Sequence, residues 1–204
     1  MHYDVEGFAY NFNLDGKEYP LPDGGTTSWT ALDAKTWQVT NRRNRRISAT
    51  YRLVLDGDTM VFESKRSKAD GGTFGDTSRA TRVSGGPGFV GRWKISAVTN
   101  VTATTIQIAP NGADGITLTF SDSGALCKAK FDGKDYPLTG PFVGKGETYL
   151  VKKTGLRSFE IVEKLNGKAL YTDSVVVSED GKTLSFDSSA TESHDPARLV
   201  YERH

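Results

Sequence analysis

One cysteine and three histidines in 204 residues leave several kinds of chemistry with little to work with. Cys127 stands alone, so no intrachain disulfide can form. His2, His194 and His204 fall far apart or at the ends, and no His-x-x-x-His or Cys-x-x-Cys spacing occurs. A zinc-type centre needs three or four clustered ligands, so neither a metal nor a cofactor is expected. No apolar run approaches the roughly 18 residues of a membrane-spanning helix. Met1-His2-Tyr3-Asp4 has neither a basic stretch nor an apolar core, so the chain as written shows no export signal. The 26 Lys and Arg against 25 Asp and Glu give a net charge of +1, which supplies no general attraction to nucleic acid or an anionic membrane. Gly-x-Ser-x-Gly, P-loop and His-Glu-x-x-His patterns are all missing. No segment holds a 3.6-residue period over three turns, which argues against helices.

What the chain does have, it has twice. Asp15-Gly16-Lys17-Glu18-Tyr19-Pro20-Leu21 returns as Asp132-Gly133-Lys134-Asp135-Tyr136-Pro137-Leu138. Asp-Gly between alternating apolar runs signals a type I′ hairpin turn, and Tyr-Pro keeps the tyrosine extended. Further turn signals fall at Asn111-Gly112, Asp122-Ser123-Gly124, Thr154-Gly155, Asn166-Gly167 and Asp180-Gly181. Between them the period is two, as in Ile116/Leu118/Phe120, Phe159/Ile161 and Val175/Val177. The expected fold is all-β, an antiparallel meander built as a β-barrel module in two copies, because closure hides strand edges best. Residues 1–84 form a first, incomplete module, 85–87 a Gly-rich linker, and 88–204 a complete module.

At the repeat offset of 117, Met1 falls opposite Leu118, in mid-strand, so the first copy lacks its opening strands. Unpaired edges are poorly tolerated in a soluble monomer. The first copy is therefore expected to pair with the second in one sheet, to exchange strands in a homodimer, or to be a cut fragment. The chain is expected to be a monomer or a strand-exchanged homodimer.

Gly91-Arg92-Trp93 resembles the Gly-x-Trp of lipocalin-type (calycin) barrels. Phe89 to Ile95, Asp132 to Leu138 and Asp180-Gly181-Lys182-Thr183-Leu184 are similar to small bacterial lipocalin-like proteins. The resemblance implies that Trp93 plugs a barrel end beneath a basic residue of the last strand, Arg198 or Arg203. It also implies a secreted or periplasmic location.

The leading functional expectation is a binding module holding a small apolar or amphipathic molecule. Barrels of about eight strands either fill with side chains or enclose one small ligand. Trp29, Trp37, Tyr51 and Phe62 are the candidate lining. Arg43 and Arg45, in the cluster Arg42-Arg43-Asn44-Arg45-Arg46, are candidates for an anionic group; the bland reading is a solvated turn. An enzyme, a hydrolase or lyase with acid/base groups in the lumen, is the second expectation. Glu192, His194 and Asp195 are its weak catalytic candidates, since neighbours in one loop do not easily converge as a triad. A structural or interaction protein with filled barrels is the third. Gly86-Pro87-Gly88-Phe89-Val90-Gly91 matches Gly-x-Gly-x-x-Gly formally, but a strand follows it where a helix is needed. Cys127 reads as core.

Overall fold

A computed structural model describes residues 1–5, 8–102, 104–190 and 197–203. Every described element is a strand: β1 His2–Val5, β2 Phe8–Asn11, β3 Asp15–Pro20, β4 Thr26–Asp33, β5 Thr36–Arg43, β6 Arg46–Asp56, β7 Thr59–Ser67, β8 Thr73–Phe74, β9 Thr77–Ser84 and β10 Arg92–Thr99. There follow β11 Ile106–Pro110, β12 Gly115–Phe120, β13 Ala125–Lys130, β14 Asp135–Thr139, β15 Glu147–Lys153, β16 Ser158–Leu165, β17 Lys168–Val177, β18 Thr183–Ala190 and β19 Ala197–Glu202. The fold is an antiparallel meander with a sheet curled into a half-barrel. β1 pairs with β2; β3 to β7, β9 and β10 form the first large sheet, with β8 beside β7; β11 to β19 form the second. Contacts divide the chain into two units, one of residues 1–3 and 10–104, the other of 4–9 and 105–204.

The two Asp-Gly-Lys motifs make the same bonds. Asp15 Oδ1 accepts from the Lys17 amide at 3.1 Å and Asp132 Oδ1 from the Lys134 amide at 3.1 Å. Each aspartate also takes the hydroxyl proton of the tyrosine four residues on, Tyr19 at 2.9 Å and Tyr136 at 3.0 Å. Gly16 and Gly133 have φ of +71° and +72°, while neither aspartate is positive. A type I′ turn requires both central residues positive, so the expected turn type is corrected to one closed by the aspartate side chain. True I′ geometry occurs at Asn44-Arg45, with φ +50° and +64°, and at Asn166-Gly167, with +51° and +83°.

Arg45 thus holds a backbone conformation that suits glycine. Arg45→Gly is expected to raise stability by about 1 kcal/mol, the cost of a left-handed non-glycine residue less glycine's chain entropy. An unfolding midpoint in urea that fails to rise would show that the Arg45 side chain contributes more than its backbone costs.

The Gly-rich run at 85–87, read from the sequence as a linker, lies in the loop of a β9–β10 hairpin, in which Trp93 pairs with Arg82 and Ile95 with Ala80. Gly85, at φ +115°, faces Gly91 so closely that a Cβ on Gly85 would stand 2.7 Å from the Gly91 Cα. Side chains cannot enter such a pinch, so the glycines close the loop instead of loosening it. β10 therefore completes the first sheet, and the chain passes to the second unit after Thr104. The basic residue over Trp93 is Arg82, with its guanidinium carbon 4.2 Å from the ring centroid, and not Arg198 or Arg203. Arg82 is fixed by Asp58 at 2.8 Å and by the Gly88 carbonyl at 2.6 Å, while the Trp93 indole donates to the Phe89 carbonyl at 3.0 Å. Arg198 instead faces Asp187 at 3.4 Å.

Alternation gives each unit its own core. Phe12, Trp29, Val39, Leu53, Leu55 and Met60 pack in the first. Leu118, Cys127, Val151, Ile161, Val175 and Phe186 are among those of the second.

Candidate functional site

Four residues of the second unit break its apolar pattern at inward positions. Along β16, Phe159, Ile161 and Leu165 are buried, and Glu163 has their parity. Along β17, Asp173 precedes buried Val175 by two and is itself buried. Tyr149 pairs with Glu163 across β15 and β16, and Asp173 pairs with Ser188 across β17 and β18. Since Ile161 pairs with Asp173, Glu163 and Asp173 are diagonal neighbours on one face. Tyr149, Glu163, Asp173 and Ser188 therefore form one polar row crossing four strands over the core.

The side chains of the row act on one another's titration along its length, Tyr149 on Glu163, Glu163 on Asp173 and Ser188 on Asp173. Burial pushes Glu163 up to about 7, and the Asp173 carboxylate beside it adds to the shift. Asp173 is also raised by burial, against the bonds from Ser188 and Glu163. Below about pH 7 Glu163 therefore keeps its proton, since two adjacent carboxyls out of water resist ionising together. Burial first, then Glu163, raises Tyr149 well above an ordinary phenol, so it acts as a donor. Cys127 is buried with its thiol pushed up to about 11, which keeps it a thiol and fits the core reading. Among the described residues, no group of three or more His, Cys, Asp or Glu is placed to hold a metal ion.

The residues singled out from sequence lie elsewhere. Trp29, Trp37, Tyr51 and Phe62 do come together, in the core of the first unit. Trp29 meets Trp37 edge-on at 6.1 Å, and Trp37 stacks on Phe89 at 4.1 Å. The arginine cluster divides. Arg43 turns inward to pair with buried Asp23, whose other oxygen accepts from the Gly25 amide at 3.0 Å. A Cβ on Gly25 would collide with the Arg43 guanidinium, so glycine makes room for the pair. Arg42 faces Glu18 at 3.4 Å, whereas Arg45 and Arg46 are exposed. Arg43 and Arg45 thus do not converge on a common anion. Glu192, His194 and Asp195 lie outside the described residues.

The sequence reading missed the polar row, although a signal existed: one acid at an inward position of each of two adjacent strands. No family model matches the chain, and no curated protein or solved structure matches it either.

Proposed function

We propose that the protein is a lipocalin-like binder of small amphipathic molecules, with the Tyr149–Glu163–Asp173–Ser188 row receiving the ligand's polar head. The observation that carries this reading is the row itself: two neighbouring carboxyls set beside the apolar side chains Leu118, Val151, Ile161 and Val175. Apolar surface with a few convergent polar groups is the usual composition of a small-molecule site. Carboxyls favour a head that donates hydrogen bonds or carries positive charge, so an alkyl amine suits the row better than a fatty acid does. The closed barrel, the export of the protein and its duplicated origin belong to the same proposal, supported by the Arg82–Trp93 stack and the matching Asp15 and Asp132 turns.

Native mass spectrometry of freshly purified protein, followed by titration with dodecylamine and with dodecanoate, tests the reading. Dodecylamine should bind at pH 8 and weaken by about tenfold at pH 5, as the row takes up protons, and Glu163→Gln should weaken it similarly at pH 8. Equal binding of the two amphiphiles, or none of either, would remove the binding assignment.

The enzyme reading rests on one observation, a carboxyl poised near 7, where a general acid works best near neutrality. Turnover of an ester or enol-ether probe that is lost in Glu163→Gln would favour it over simple binding.

A further inference from the structure

Counted outward from the repeated tyrosines, the ladders of the two large sheets run in step. Tyr19–Thr27–Asn41 in the first matches Tyr136–Tyr149–Glu163 in the second. Two residues along, Val39–Tyr51–Ser64 matches Ile161–Asp173–Ser188. On the next pair of strands, Phe62–Ser78 matches Phe186–Leu199 and Met60–Ala80 matches Leu184–Tyr201. One bond seals the match: the Arg82 amide donates to the Asp58 carbonyl at 2.9 Å, and the Arg203 amide to the Lys182 carbonyl at 2.8 Å. β9 and β19 thus hold the same place, and Arg203 is the counterpart of Arg82.

Their outer edges differ. β9 carries β10 there, and Trp93, Ile95 and Val98 pair with Arg82, Ala80 and Ser78. With that strand in place, Ala80 is 0% exposed and the Arg82 side chain, on the Trp93 ring, 8%. β19 ends the second sheet, with no further strand paired to it among the described residues. Leu199 shares the inward face with its partner Phe186 yet is 53% exposed, and Val200, on the other face, is 59% exposed. Arg203 is exposed as well, and Lys182 stands where Asp58 holds Arg82. A strand edge with uncovered apolar side chains is a template for another strand.

We propose that the outer edge of β19 is a docking site for an extended segment of another polypeptide, one that opens with Gly-x-Trp and alternates apolar residues after it, as Gly91-Arg92-Trp93-Lys94-Ile95 does. The segment adds to the sheet as an antiparallel strand, held by backbone hydrogen bonds. At the register of β10 on β9, its Trp meets Arg203, its Ile meets Tyr201 and a following Val meets Leu199. The Arg203 guanidinium then lies on the indole face, as that of Arg82 does on Trp93. Leu199 and Tyr201 offer more apolar area than Ser78 and Ala80, so the added strand is matched at least as well as β10 is. The Glu163 row stops at β18, one strand short of this edge, and the test below reads peptide binding alone, so the docking site stands apart from the amphiphile reading.

A fluorescent peptide of residues 88–100, titrated into the full chain and followed by anisotropy, tests the proposal. It should bind saturably, and a Trp93→Ala peptide about tenfold more weakly. In the chain, Arg203→Ala should weaken the parent peptide by about tenfold. Because the Arg203 amide faces β18, alternation turns the Val200 amide outward. Val200→Pro therefore keeps the β18–β19 ladder, removes a bond from the added strand and should weaken the peptide at least about tenfold. Unfolding midpoints show that both variants keep the fold, and Arg203→Ala, at an exposed side chain, carries the test if Val200→Pro does not fold. Failure to saturate, equal binding of the Trp93→Ala peptide, or binding indifferent to Arg203→Ala or to a folded Val200→Pro would overturn the assignment. So would a dimer of the chain alone, seen by light scattering and abolished by Val200→Pro, since a second copy would then occupy the edge.

Discussion

Arg43→Ala is expected to destabilise the protein by about 3–5 kcal/mol, the cost of stranding a buried charge. Asp23 is 4% exposed and the Arg43 side chain 14%, and the Arg43 guanidinium also donates to the Arg42 carbonyl at 3.2 Å. Without that guanidinium, Asp23 keeps only the Gly25 amide among the described residues and cannot regain water without unravelling the loop between β3 and β4. Replacing both partners with apolar residues of similar volume, Asp23→Leu with Arg43→Met, should recover most of the loss, because no charge is left behind. By contrast, the more exposed Arg42–Glu18 contact is worth about 0–1 kcal/mol. Denaturant unfolding measures all three. An Arg43→Ala loss under about 1 kcal/mol would mean that Asp23 reaches solvent.

Stability should fall as pH rises from about 5 to 7, and Glu163→Gln should remove most of that fall. The folded state raises Glu163 from 4.5 to about 7, so below pH 4.5 both folded and unfolded chains hold the proton and nothing is lost. Between those values the unfolded chain ionises while the folded one still keeps its proton, and each pH unit costs about 1.4 kcal/mol. Above 7 the full penalty, about 3–4 kcal/mol, is in place and the curve flattens. Asp173, also raised, adds in the same direction. Glu163→Gln holds an uncharged hydrogen-bonding group at that position, so the variant should exceed the parent at pH 8 and match it at pH 4. Parallel pH profiles for the two proteins would place the carboxyl in water.

The strands were legible because alternation and turn residues are local. Ile116/Leu118/Phe120 and Phe159/Ile161 gave period two, and both sit inward as that period requires. The pairing partner of Trp93 was not legible, because a Gly-rich run reads alike whether it separates two bodies or pinches one hairpin. Only the approach of Gly85 to Gly91 distinguishes them, and that distance has no signature in composition. The Arg42–Arg46 cluster misled for a related reason. Four arginines look alike in sequence, but Asp23, twenty positions upstream, draws one of them inward. Glu163 and Asp173 were each visible as a break in alternation, but their adjacency depends on the β16–β17 register, which a one-residue slip would have destroyed.

The β9–β10 hairpin makes the Gly-rich run a poor place to divide the chain. Residues 92–99 close the first sheet, so a cut at Ser84–Gly88 would not leave that sheet intact. It would strip β9 of its partner, expose the Arg82 side chain, now 8% accessible, and take Phe89 from Trp37.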